Sequence, residues 1–138
     1  MASIGTIAAK IGLKGIDSNL LTALRGIIMA IIVTLAAFSF GKFSYTGMAA
    51  LSSKQWTYII LSAVGGALSW VFFYYALSSG PAITVSVIDK LSIVFTAALA
   101  VLILSERVSF SEVVGLVFIA LGTLLVAIPW TTITSLFK

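Results

Sequence analysis

Two charged residues, Asp89 and Lys90, interrupt an otherwise apolar stretch of the chain. The stretch from Ala82 to Leu104 is long enough, at about 1.5 Å per residue, to cross a hydrocarbon core about 30 Å thick. A charge near the bilayer centre costs about 2.5–3.5 kcal/mol on insertion scales, so it normally faces protein or a water-filled cavity. The sequence therefore predicts one membrane-spanning helix in which Asp89 faces protein or water and not lipid.

Three hydroxyl-bearing residues share one side of this predicted helix with Asp89. Ser86, Asp89, Ser92 and Thr96 follow spacings of three and four, which place them on one face. One interpretation is a polar stripe that, with the adjacent Lys90, lines a solute pathway. The alternative is that Asp89 and Lys90 neutralise one another while the hydroxyls bond back to their own helix. Adjacent helical residues point about 100° apart, so the sequence leaves both interpretations open.

Two aromatic residues one helical turn apart, Trp70 and Tyr74, are the other candidates for contact with a solute. Both belong to a predicted span at residues 56–79. They can form the wall of a cavity, or they can anchor the helix near the membrane interface and contact lipid. The sequence alone does not decide between these roles.

The composition is that of an integral membrane protein. The 138 residues have a mean hydropathy of +1.23, with 61% hydrophobic and 9% charged residues, whereas soluble domains have roughly 25% charged residues. The absence of cysteine and histidine excludes thiolate nucleophiles, histidine bases and most zinc sites. With no nucleophile–base pair or phosphate-binding loop visible, we predict neither an enzyme nor a cofactor. The basic residues are scattered, so nucleic acid is not an expected partner.

The apolar stretches divide the chain into membrane helices. Residues 2–13 are too few to cross a bilayer and are interpreted as the second half of a helix. Arg25 lies within snorkelling reach of the interface, and Ser111 is a candidate N-cap. Full spans are predicted at residues 20–40, 56–79, 82–104 and 112–130. We predict an all-α membrane fold, a helical bundle with four full transmembrane helices plus a partial N-terminal helix, in a single domain over 1–138.

Glycines mark candidate contacts between helices. Gly115 and Gly122 lie seven residues apart on one face of the last span, and Gly65 and Gly66 belong to small-xxx-small pairs in the 56–79 span. Glycine inside a helix costs about 1 kcal/mol relative to alanine. Small residues nevertheless allow membrane helices to approach closely. We therefore predict helix packing or dimer contact at these four glycines.

Several landmarks in the second half of the chain occur in a characteristic order. An aromatic-rich span ends in Ala-Leu before a Gly-Pro turn, a long apolar helix ends in Ser-Glu-Arg, and the next helix carries two glycines seven residues apart. The run WVFFYYALSSGPAITVSVIDKLSIVFTAALAVLILSERVSFSEVVGLVFIALGTLLVA resembles the second part of an EamA-type domain of the drug/metabolite transporter superfamily. The earlier AKIGLKGIDSNLLTALRG is similar to the first loop and the second-helix start of short members.

The resemblance implies a function and an assembly. Family members usually carry two five-helix units in inverted orientation and move metabolites, amino acids or drugs across the inner membrane. This chain resembles one half-length unit, which implies that two copies associate and that Asp89, Trp70 and Tyr74 lie near a central cavity. The expected function is secondary transport of a small organic metabolite or drug by a homodimer in a bacterial-type inner (cytoplasmic) membrane. The alternative is a non-transporting accessory subunit of a larger membrane complex.

The segment SIGTIAAKIG has a weaker similarity to small multidrug exporters. Those exporters couple protons to substrate through a membrane-embedded Glu at the end of their first helix. The corresponding position here is Ala2, and the first acidic residue of the chain is Asp17. That coupling mechanism is therefore not transferred to this chain, and Asp89 is the deep carboxylate available for a proton site.

The basic residues show little preference for one side of the membrane. Counting five spans, one side holds three of them and the other holds four: Lys42, Lys54 and Arg107 against Lys10, Lys14, Arg25 and Lys138. Orientation follows the Lys/Arg bias of short loops, so weak or dual orientation is predicted. Dual orientation is what an inverted pair requires, and the resulting hypothesis is an antiparallel homodimer surrounded by lipid.

Overall fold

The computed structural model describes residues 2–41 and 43–128, and within these ranges all regular structure is helical. In chain order the helices are α1 (Ala2–Gly12), α2 (Ser18–Ser39), α3 (Tyr45–Ala49), α4 (Ser53–Ser79), α5 (Ala82–Asp89), α6 (Leu91–Leu104) and α7 (Phe110–Ala127). Among the described residues, four segments are long and apolar enough to cross a membrane: α2, α4, α7, and α5 together with α6. The predicted all-α membrane fold, with a short N-terminal helix, is confirmed. Residues 129–130 of the predicted last span lie outside the described residues.

Local capping explains where two of the spans begin. The Asp17 carboxylate accepts hydrogen bonds from the backbone N–H groups of Asn19 (2.8 Å) and Leu20 (3.2 Å) at the start of α2. At α7 the cap is Ser109, and the prediction of Ser111 is wrong. Ser109 and Glu112 form a reciprocal capping box, in which the Glu112 carboxylate accepts from the Ser109 N–H at 2.7 Å. The spacing of three residues between Ser109 and Glu112 favours this cap over Ser111.

The chain forms two compact units, with the boundary between Ser79 and Gly80. In the first unit α2 packs against α4. The Lys10 ammonium of α1 donates a hydrogen bond to the Leu77 carbonyl in the last turn of α4, where cations are favoured by the helix dipole. Leu77 itself is fully buried. This end of α4 is therefore held against α1.

In the second unit α5 and α6 both pack against α7. The buried Thr123 of α7 donates its hydroxyl to the Ile119 carbonyl (2.8 Å), and a longer contact of 3.4 Å reaches the Val87 carbonyl of α5. Buried polar groups are normally satisfied in this way. Thr123 thus links α7 to the backbone of α5 two residues before Asp89.

The helix predicted as continuous over 82–104 is divided at Lys90. The Lys90 N–H donates to the Val87 carbonyl (3.0 Å), and the Ile93 N–H donates to the Lys90 carbonyl (3.1 Å). Both bonds have the three-residue spacing of a tighter helical turn instead of the four-residue spacing of an α-helix. The Ser92 hydroxyl also donates a hydrogen bond to the Asp89 carbonyl (2.6 Å). The backbone is therefore locally rearranged at the two charged residues.

Most large apolar side chains of the described helices are exposed. The buried hydrophobic residues in this part of the chain are Ala9, Tyr74 and Leu77. Lipid tails are as apolar as leucine, so such surfaces carry no penalty in a bilayer. They are compatible with lipid or with further protein as the neighbour.

Candidate functional site

Asp89 and Lys90 form the ion pair that the sequence left open. Lys90 Nζ lies 3.5 Å from Asp89 Oδ2, which is at the outer limit of a hydrogen bond. The side chains are 37% exposed for Asp89 and 59% exposed for Lys90. Within the described part of the chain the other carboxylate oxygen, Asp89 Oδ1, has no hydrogen-bond partner. The pair is thus loose and leaves acceptor capacity on Asp89.

The hydroxyls of the polar stripe bond largely to their own helix. Ser92 donates to the Asp89 carbonyl (2.6 Å), and Thr96 donates to the Ser92 carbonyl (2.8 Å). Their oxygens retain lone pairs and can still accept a hydrogen bond. Ser86 is half-buried, whereas Ser92 and Thr96 are exposed. The local alternative, ion pairing plus back-bonding, describes the contacts present here, and a solute pathway along the stripe stays a prediction.

The two predicted aromatic residues have different surroundings. Trp70 is 37% exposed and lines a cavity of about 520 Å³ between α2 and α4. Tyr74, one turn further along α4, is only 4% exposed and meets the ring of Phe73 edge-on at 5.3 Å. The cavity is mostly apolar, and its wall consists of Asn19, Thr22, Ala23, Gly26, Ala63, Gly66, Ala67, Trp70 and Val71.

Arg25 also lies in this region, although the sequence analysis did not count it among the candidate site residues. Its guanidinium carbon lies 5.5 Å from the centre of the Tyr74 ring, in a cation–π arrangement. Arg25 Nε is buried and has no hydrogen-bond partner among the described residues. The guanidinium lies against Gly5 of α1, since a Cβ at Gly5 would be in van der Waals contact with it at 3.4 Å. Arg25 therefore contacts both α1 and α4 of the first unit.

The four glycines predicted as helix contacts have no close neighbour among the described residues. A Cβ built on Gly65, Gly66, Gly115 or Gly122 would meet no atom of another described element within 4 Å. Gly66 borders the cavity beside Trp70, and Gly115 borders a smaller cavity of about 320 Å³ in the second unit. The faces carrying these glycines are open to lipid or to another chain.

The predicted site residues are divided between the two units. Trp70 and Tyr74 lie in the first unit, whereas Asp89, Lys90 and the three stripe hydroxyls lie in the second. Within the described ranges, no group of three or more acidic side chains is positioned to hold a metal ion.

These features define an integral membrane protein built from apolar helices with polar groups at two positions inside them. The profile of the EamA-like transporter family matches residues 1–128, and the chain belongs to this family. The resemblance inferred from the sequence is thereby confirmed. Family membership points to a membrane transporter and away from an enzyme.

Two relatives show how far the similarity extends. A Sinorhizobium protein named as an uncharacterized transporter in the cobO 3′ region is 30% identical over 127 residues, which cover 92% of this chain and 89% of the relative. The uncharacterized protein MJ1333.1 of Methanocaldococcus jannaschii is 31% identical over 103 residues, which cover 75% of this chain and 69% of that protein. No solved structure matches the chain.

Proposed function

We propose that this chain is a secondary transporter that carries a small organic metabolite or drug across the cytoplasmic (inner) membrane. The observation that carries the proposal is the family match over residues 1–128, together with a relative of similar length that is named as a transporter. The polar groups within apolar helices are consistent with it, since such groups usually mark substrate or ion pathways.

We assign roles in the proposed pathway to the polar residues of α5 and α6 and to the two aromatic residues of α4. Asp89 is the candidate for binding a coupling proton or a charged group of the solute, with Lys90 as its local counter-charge. The stripe hydroxyls of Ser86, Ser92 and Thr96 offer acceptors along one helix face. Trp70 and Tyr74 provide aromatic surface for the organic part of a solute. Selectivity would then come from shape and from a few hydrogen bonds.

Transport is testable on the purified protein in liposomes. We expect time-dependent uptake, above that of protein-free liposomes, for at least one member of a radiolabelled panel of amino acids, nucleobases and cationic dyes. An imposed proton or sodium gradient should accelerate uptake if the carrier is a secondary transporter. Uptake that stays at the protein-free level for the whole panel, under either gradient, would contradict the proposal.

An accessory role is the second candidate, and the Asp89–Lys90 ion pair favours it, because a locally neutralised pair needs no solute. A non-transporting subunit should co-purify in fixed stoichiometry with a membrane protein of different sequence. The transporter should purify as copies of this chain alone. Mass spectrometry of complexes extracted in mild detergent separates the two.

We further propose that the working unit is a homodimer, with an antiparallel arrangement as the favoured form. Gly115 and Gly122 lie on a face of α7 that no other described element covers within 4 Å of an added Cβ. Close approach of a second helix there would bury a surface that one copy leaves open.

Replacing both Gly115 and Gly122 with Leu is expected to shift the protein from dimer to monomer, because the new side chains prevent close backbone approach. The measurement is molecular mass by light scattering in detergent, repeated by single-molecule counting in lipid. Ala98→Leu on the exposed surface of α6 is the matched control and should leave the mass unchanged. A dimer that persists in the double variant would remove the α7 glycines from the interface.

A further inference from the structure

The second unit contains a cavity of about 320 Å³ between α6, α7 and the turn that joins them. Part of its wall is apolar and half-buried, and consists of Ala97, Ala100, Leu116 and Ile119. The rest of the wall is exposed and lies at the turn or in the first turns of α7: Glu106, Arg107, Val108, Glu112 and Gly115. The cavity therefore has an apolar part and a charged part.

The charged part of the cavity lies where two membrane spans end. Because α6 ends at Leu104 and α7 begins at Phe110, Glu106 and Arg107 lie on the short connection between the two spans. The apolar wall begins at Ala100, one helical turn inside the span. From the end of the spans inwards, the wall is thus first charged and then apolar. A phospholipid has the same order across a bilayer, since its charged headgroup lies outside the hydrocarbon core.

The charges of the wall indicate which kind of headgroup fits. Within the described ranges, neither the Glu106 carboxylate nor the Arg107 guanidinium has a hydrogen-bond or ion-pair partner. Glu112 already accepts hydrogen bonds from the Ser109 N–H and hydroxyl through Oε2. Two carboxylates against one guanidinium give the wall a net negative charge, which repels a purely anionic ligand. A zwitterion instead offers a phosphate to Arg107 and an ammonium to Glu106.

We propose that this cavity binds a zwitterionic phospholipid with a primary ammonium in its headgroup, such as phosphatidylethanolamine. The lipid phosphate pairs with Arg107, because a planar guanidinium matches two phosphate oxygens at once. The ammonium donates hydrogen bonds to the Glu106 carboxylate. The first carbons of an acyl chain lie on the apolar wall, and the rest of the lipid stays in the surrounding bilayer. This lipid site does not depend on the proposed transport activity.

Lipid binding is measured by native mass spectrometry of the full chain in maltoside detergent, titrated with dioleoyl phosphatidylethanolamine. Dioleoyl phosphatidylglycerol is the matched probe, since it has the same phosphate and acyl chains but a neutral glycerol in place of the ammonium. We expect phosphatidylethanolamine to bind several-fold more tightly. Equal or tighter binding of phosphatidylglycerol would overturn the proposal.

Two variants in the turn test the headgroup contacts. Glu106→Gln should lower the affinity for phosphatidylethanolamine to that for phosphatidylglycerol, without weakening the latter. Arg107→Gln should weaken both lipids by about fivefold, because both carry a phosphate. The matched controls Asp17→Asn and Lys54→Gln remove the same charges in the first unit and should bind both lipids as the unaltered chain does.

All four substituted positions are exposed, so the variants should keep the fold. The comparison of two lipids on one variant is also independent of a general loss of stability. A preference for phosphatidylethanolamine that survives Glu106→Gln would refute the proposal, and so would unchanged affinity of both lipids for Arg107→Gln.

The apolar wall is tested by filling the cavity. Ala100→Leu adds three carbons to a residue of the wall and should weaken both lipids alike. Ala98→Leu makes the same change on the exposed surface of α6, at a residue that does not line the cavity, and should leave both affinities unchanged. Equal lipid binding by the two variants would contradict the assignment of the lipid to this cavity.

Two other occupants of the cavity give different results in the same experiment. Glycerophosphoethanolamine is the headgroup without acyl chains, and it should not displace the lipid at equal concentration. Displacement at equal concentration would assign the site to a water-soluble zwitterion and overturn the lipid. The spectra also separate monomers from dimers, and lipid is expected on both. Lipid on monomers alone would show that a second copy covers the cavity, which would equally overturn the proposal.

Discussion

Replacing Asp89 with Asn should reduce solute uptake to the protein-free level, or uncouple it from the ion gradient, while the protein still reaches the membrane. Asn keeps the shape of the side chain but removes the charge that can bind a proton or a cation. Asp89 already has free acceptor capacity, because Lys90 contacts only Oδ2 at 3.5 Å. The measurement is uptake in liposomes at matched protein density.

The matched control for this variant is Asp17→Asn. Both Asp and Asn are good N-caps, so the start of α2 should be retained when Asp17 becomes Asn. Uptake by Asp17→Asn is expected to equal that of the unaltered chain. Normal coupled uptake by Asp89→Asn would remove Asp89 from the mechanism.

Exchanging the two charges distinguishes a role of Asp89 in a solute pathway from mutual neutralisation of Asp89 and Lys90. In the double variant Asp89→Lys, Lys90→Asp, the two charges stay adjacent but the carboxylate moves about 100° around the helix. If the pair serves only to neutralise itself, this variant should behave as the unaltered chain. If Asp89 has to face a pathway, uptake should be lost although the protein inserts normally.

The membrane fold was predictable because it depends on length and hydropathy, which the sequence carries directly. The helix division at Lys90 was not predicted, and one contact next to it comes from a distant part of the chain. Thr123 reaches the Val87 carbonyl from a helix 36 residues away, and no local pattern specifies that contact. The N-cap of α7 was readable in principle, since Ser109 and Glu112 have capping-box spacing.

The candidate site was predictable to a smaller extent. Charged residues inside an apolar stretch are visible in the sequence, so Asp89 and Lys90 could be predicted as candidate site residues. Arg25 did not, since its proximity to a helix end suggested an interfacial position. Its side chain lies next to Gly5 and over Tyr74, which belong to two other helices. The local pattern of a single sequence does not show which distant segments will contact one another.

The chain is expected to insert in both orientations at comparable levels. If every span crosses once, the basic residues of the two sides nearly balance, and two of them are engaged inside the first unit. Arg25 lies over Tyr74, and Lys10 donates to the Leu77 carbonyl. Orientation responds to Lys and Arg near the ends of spans and hardly to acids. An inverted pair of half-length units needs both orientations.

The test is a pair of reporters fused after Lys138, one active only in the cytoplasm and one only outside it. Both should give comparable signals, and one added charge should bias them in opposite directions. Ser79→Lys and Tyr45→Lys add a charge to alternate loops at exposed positions, so each should favour a different reporter by several-fold. Signal from one reporter alone, unmoved by either lysine, would establish a fixed orientation. That result would favour a parallel assembly or the accessory-subunit role, because no inverted partner would then exist in the membrane.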